Sequence, residues 1–99
     1  MTELQTLEVR SNGIEFDFAR AKKVADAVAD ALLGEGVCLS WYDRALDRES
    51  PAHAGDCHDA CDLPAYLEYA QSRGGEIAVS VDSGAFVYCY RPIGEFADA

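Results

Sequence analysis

At 99 residues the chain falls within the ~150-residue allowance for one domain, so a single domain over 1–99 is expected. A composition of 49% hydrophobic and 26% charged residues excludes wholesale disorder. Eight basic against eighteen acidic residues leave a net charge of −10, which is poorly suited to gripping a phosphate backbone, so nucleic acid is not an expected partner.

The first five residues, Met1 to Gln5, lack the basic start and apolar run of a signal peptide. Asp26 and Asp30 interrupt the Ala-rich stretch 24–33, so no membrane span is expected and a cytoplasmic location is the default. There the four cysteines, Cys38, Cys57, Cys61 and Cys89, should be mostly reduced, which argues against a disulfide framework.

Leu7 and Val9 alternate with Glu8 and Arg10 ahead of Asn12-Gly13, a favoured two-residue hairpin turn. Closing that turn opposes Arg10 to Glu15, Val9 to Phe16 and Leu7 to Phe18, with charges on one face and apolar pairs on the other. Asp17 then offers a helix cap, and Phe18, Ala21, Ala25, Val28 and Leu32 form an amphipathic stripe that Gly34 and Gly36 end. Val37 to Asp43 reads as a strand with Val37, Leu39 and Trp41 on one face and Cys38, Ser40 and Tyr42 on the other. A long loop, 44–61, precedes Asp62-Leu63-Pro64, a helix start. Leu63, Tyr66, Leu67 and Ala70 give the second helix its apolar side, and Gly74-Gly75 stop it. Strands Glu76–Asp82 and Ala85–Arg91, joined at Ser83-Gly84, oppose Val81 to Phe86, Val79 to Tyr88 and Ile77 to Tyr90. Residues 92–99 form a C-terminal tail. The predicted order is ββαβαββ: an α+β domain with a roughly five-stranded sheet and two helices on one face.

Ser40-Trp41-Tyr42-Asp43, Tyr69-Ala70-Gln71-Ser72-Arg73-Gly74-Gly75 and Phe86-Val87-Tyr88 resemble a family of short bacterial and archaeal domains of unknown function. The likeness extends over roughly residues 37–91. It implies a free-standing small domain and carries over no activity and no site residue.

Chemistry-bearing residues concentrate in the 44–61 loop, which holds His53, Asp56, Cys57, His58 and Cys61. His53, Cys57, His58 and Cys61 are candidate metal ligands, zinc being the cofactor that such a set suits. Against this, no second ligand pair follows downstream, and the three-residue gap between Cys57 and Cys61 is not the two of redox or zinc-knuckle motifs. The alternative is an exposed loop with incidental Cys and His, or a reversible Cys57–Cys61 disulfide. Elsewhere, Gly34-Glu35-Gly36 follows a helix and lacks a third glycine, so it is no dinucleotide loop. Asp82-Ser83-Gly84 occupies a hairpin turn and not a nucleophile elbow. Tyr42, Asp43 and Arg73 are candidate ligand-binding residues, each with a simpler structural role: strand face, turn cap and helix C-terminus.

Strand parity puts Cys38, Ser40, Tyr42, Ala78, Ser80, Val87 and Cys89 on the sheet face that the helices leave uncovered. Small, weakly polar residues make a flat surface that either the 92–99 tail, through Ile93 and Phe96, or a second copy would cover, and a homodimer through that face is the expected solution. A non-catalytic module binding a protein or small ligand, and assembling with itself, is the expected function. The alternative is a metal- or thiol-dependent activity centred on residues 53–61.

Overall fold

The computed structural model describes residues 4–50 and 65–93. Among them the elements run β1 (Gln5–Val9), α1 (Phe18–Leu33), β2 (Gly36–Asp43), β3 (Arg48–Ser50), α2 (Ala65–Ser72), β4 (Ile77–Val81) and β5 (Phe86–Pro92). The strands form one mixed sheet in the order β1-β4-β5-β2-β3, with β1 parallel to β4 and the other neighbours antiparallel. No helix among the described residues is long and apolar enough to cross a membrane.

The α+β class, the five strands and the two helices are as the sequence implies. The order βαββαββ is not the expected ββαβαββ, because the first hairpin does not form. The turn at Asn12-Gly13 is present, closed by Ile14 N–H on the Ser11 carbonyl at 2.7 Å. Gly13 has positive φ (87°), and Asn12 is not among the residues that do. A type I′ turn needs positive φ at both central positions and a type II′ turn needs it at the first, whereas a turn with positive φ only at the second splays the strands that enter it. The chain therefore passes through 14–16 into α1, and β1 pairs with β4 in the register Leu7↔Val79 and Val9↔Val81. The additional strand is β3, which lies within the stretch expected to be a loop. It returns from a turn at Arg44–Asp47 to pair with the end of β2.

α1 starts where expected: Asp17 accepts from Arg20 N–H at 2.8 Å, satisfying one of the four free donors of a helix start. Ala21, Ala25 and Ala29, all at zero exposure, lie against Val79, Val81, Tyr88 and Tyr90. Spacing by four places these alanines in one row, and their size lets the helix backbone approach the sheet. Ala29 takes the place expected for Leu32, which is exposed. α2 ends on a two-glycine stop: Gly75 N–H reaches the Ala70 carbonyl and Gly74 N–H the Gln71 carbonyl. A Cβ on Gly75 would stand 2.7 Å from the Ala70 carbonyl oxygen, so this close approach requires glycine.

The two helices cover opposite faces, not one. Tyr66 and Ala70 of α2 pack with Ala78, Val87 and Cys89, and the Ser40 hydroxyl donates to the Tyr66 carbonyl at 2.7 Å. β4 and β5 are buried over most of their length on both sides, as strands inside a sandwiched sheet are. Of the residues that suggested a flat surface for a second copy, Ser40, Tyr42, Ala78, Val87 and Cys89 receive α2 instead. The homodimer surface expected there is therefore already covered within the chain.

Parity also shifts in β2. The register steps from Cys38↔Tyr90 to Ser40↔Cys89, a bulge in which Leu39 is the extra residue. Cys38 consequently joins Trp41 on the α1 face, while Leu39 joins Tyr42 on the α2 face.

Candidate functional site

The expected ligand-binding set is split by the sheet. Asp43 ends β2 opposite Phe86. Arg73 follows α2, and its carbonyl accepts from the Arg91 guanidinium at 3.3 Å, with Arg91 opposite Val37. Six residue-to-residue steps along the strand separate Val37 from Asp43, about 20 Å at ~3.3 Å per step. Arg73 thus lies at the other end of the sheet from Tyr42 and Asp43, where its guanidinium rests over the Tyr69 ring at 4.0 Å.

Each remaining member is engaged locally. The Tyr42 ring stacks on Tyr66 at 5.2 Å, and its hydroxyl donates to Asp47 at 2.9 Å. That carboxylate pushes the Tyr42 hydroxyl toward the protonated form. Asp43 is buried; Leu46 N–H approaches one carboxylate oxygen at 3.5 Å, and Arg48 approaches the other at 3.9 Å while lying over Trp41. His53, Cys57, His58 and Cys61 lie outside the described residues. Among the described residues no group of three His, Cys, Asp or Glu could hold a metal ion.

Two further polar clusters emerge from the packing. Lys22 donates to both Asp26 oxygens at 2.8 and 3.0 Å, and the buried Tyr90 hydroxyl donates to Asp26 at 2.6 Å, fastening α1 to β5. Cys38 lies opposite Tyr90, and burial raises its thiol pKa. Burial likewise pushes the Cys89 thiol up to about 11. Both are protonated thiols near neutral pH, a poor state for nucleophilic work.

The other cluster holds the β4–β5 turn, where Asp82, Ser83 and Gly84 have φ of 52°, 59° and 88°. Ser11 donates from its N–H and its hydroxyl to the two Asp82 oxygens at 2.8 and 2.7 Å. Glu8 accepts from Ser83 N–H, and Arg44 donates to the Ser83 carbonyl at 3.1 Å. Three segments thus brace a backbone that non-glycine residues seldom adopt. The Ser11 side chain and then its backbone hold the Asp82 carboxyl below its ordinary pKa. A depressed carboxylate stabilises the fold above its unfolded pKa, and that contribution disappears as pH falls through the folded value. Ser11→Ala should therefore move the Asp82 titration, followed by carboxyl carbon NMR, up toward ordinary aspartate. An unmoved midpoint would disprove the coupling.

Among the described residues one edge of the sheet is open. β1 is an edge strand with Gln5, Thr6, Leu7 and Glu8 exposed. Gln5 N–H donates to the Glu76 carbonyl at 3.0 Å, and the Val9 carbonyl accepts from Asp82 N–H at 2.8 Å. Gln5, Leu7 and Val9 therefore direct their backbone groups at β4, and the alternate residues Thr6 and Glu8 direct N–H and C=O outward. Beside the edge, Gln5, Leu32, Leu33, Glu76 and Ile77 line an open hollow of about 320 Å³. Sequence reasoning missed this edge by pairing β1 with residues 14–18. The available signal was the Asp17 cap, which leaves only Ile14–Phe16 for a returning strand.

The domain of unknown function DUF5619 matches residues 4–90. The chain belongs to this family. The match extends the likeness noted at residues 37–91 through β1 and α1. No protein with a curated description matches the chain. A solved structure, that of a novel protein from Archeoglobus fulgidus, is 22% identical to the chain with a TM-score of 0.71. The alignment covers 90% of this chain and 94% of that one, a likeness of fold.

Proposed function

We propose that the chain is a non-catalytic protein-binding module whose site is the outer edge of β1, where it accepts an extended strand. The observation that carries this reading is the outward N–H and C=O of Thr6 and Glu8 on an exposed strand. Such a row is a template for another chain, and proteins that do not use it commonly blunt it with proline, lysine, a bulge or a very short strand. β1 runs five residues, QTLEV, with no proline or lysine and an unbroken register to β4. β3, the opposite edge, is three residues long and begins with a charged pair. Exposed Leu7 supplies apolar area beside the backbone groups.

Thr6→Pro tests the reading, because the amide it removes faces outward and the ladder to β4 stays whole. Peptides selected from a displayed library on the wild-type chain should lose at least tenfold in affinity for Thr6→Pro. They should also slow hydrogen exchange at Thr6 and Glu8. Peptides that bind both proteins equally would overturn it.

A further inference from the structure

Resting on that reading, we infer that the strand added at β1 is the β1 of a second copy, antiparallel, with Leu7 on the two-fold axis. The direction of the backbone groups selects this register. An antiparallel pair exchanges both bonds between residues whose groups point at each other. With Leu7 opposite the partner's Leu7, Thr6 stands opposite the partner's Glu8, and Glu8 opposite the partner's Thr6. The four outward groups of each strand then meet the four of the other, giving four hydrogen bonds from the strand as it stands.

Side chains agree with the backbone. Leu7 becomes a non-hydrogen-bonded pair, the kind in which side chains approach most closely, and it is 39% exposed in the single chain. The Thr6 hydroxyl, a donor, faces the partner's Glu8 carboxylate, an acceptor. Shifting the sum of paired positions up by two would set Glu8 against the partner's Glu8, a like-charge pair that the net charge of −10 makes worse. Shifting it down by two would set Leu7 against Gln5 and leave only the Thr6 pair bonded within the strands. The Leu7 register also brings the partner's Val9 beside Gln5, at the hollow that Leu32 lines while 57% exposed. This symmetric pairing uses one surface patch twice, the usual construction of a two-fold dimer.

The decisive probe is a disulfide. Non-hydrogen-bonded Cα atoms about 4.5 Å apart lie within disulfide range. In a background with Cys57 and Cys61 changed to Ser, Leu7→Cys should oxidise to a covalent dimer. Gln5→Cys, which would face Val9, should form at least tenfold less. Light scattering after size exclusion should give twice the chain mass for the wild type, more completely as salt screens the repulsion. Thr6→Pro should give the single mass. A wild-type monomer at millimolar concentration in both low and high salt would overturn the dimer, as would equal cross-linking at positions 5 and 7. A dimer that persists in Thr6→Pro would also overturn it. If the chain is monomeric but Thr6→Pro still abolishes peptide capture, the dimer alone fails; if peptides bind Thr6→Pro normally, the strand-acceptor reading fails with it.

Discussion

Replacing Tyr88 with Ala is expected to lower the unfolding free energy by about 3–5 kcal/mol, the range for removing a buried aromatic ring. Tyr88 has no exposed surface and lies on β5, the central strand of the sheet. Its ring is 5.4 Å from Phe18, which in turn packs edge-on to Trp41 at 4.6 Å. One side chain thus joins the start of α1 to β5 and β2. Its hydroxyl donates to the Phe18 carbonyl at 2.9 Å. Tyr88→Phe keeps the ring and removes only that bond, worth about 1 kcal/mol. The ring therefore stabilises the fold more than the hydroxyl does. Against a total of about 5–15 kcal/mol for a domain of this kind, the alanine variant should be partly unfolded at body temperature or close to it. Urea denaturation of both variants checks the ordering. A phenylalanine variant as damaged as the alanine one would show that the hydrogen bond dominates.

The β4–β5 hairpin was legible to the residue: Val81↔Phe86, Val79↔Tyr88 and Ile77↔Tyr90 are the register that alternation requires. The cap at Asp17 and the glycine stops at Gly34 and Gly74 were legible for the same reason, since each is local chemistry. What failed depended on distant partners. Asn12-Gly13 is a turn either way, and only the backbone conformation at Asn12 decides whether the chain returns as a strand. Leu39 reads as an alternating strand residue until a bulge, set by the pairing of β2 with β5, turns it to the other face. Helix placement was hidden too, because Ala78, Ser80 and Cys89 look alike whether a helix or a second chain lies on them. Arg48-Glu49-Ser50 has no apolar alternation at all, and β2 alone makes it a strand. The candidate site fared similarly. Tyr42 and Asp43 were read at the strand end where they occur, whereas Arg73, distant in sequence, proved distant in space.

Ala25→Leu should cost about 3 kcal/mol, near the upper end of what overpacking a core costs. Leucine and alanine have similar helix propensity, so the loss would come from packing. Ala25 is the middle residue of the row Ala21, Ala25 and Ala29, with zero exposure, and the tyrosines beneath already fill the space between helix and sheet. Three added carbons must be fitted against these buried neighbours. The helix must lift, and lifting it weakens the Tyr90–Asp26 bond, 2.6 Å long and one residue further along α1. Ala27 lies on the exposed side of the same helix, so Ala27→Leu should stay within about 0.5 kcal/mol of wild type. The contrast separates seam from propensity. Both variants can be followed by thermal melting, with near-ultraviolet circular dichroism reporting the tyrosine environment. Equal stabilities for the two would mean that the alanine row is not what sets the distance between α1 and the sheet. A loss confined to Ala25→Leu, with a weakened tyrosine signal, would mean that small side chains in α1 hold β5 in place. The same seam keeps α1 centred on β4, β5 and β2, and among the described residues the outer edge of β1 is bare.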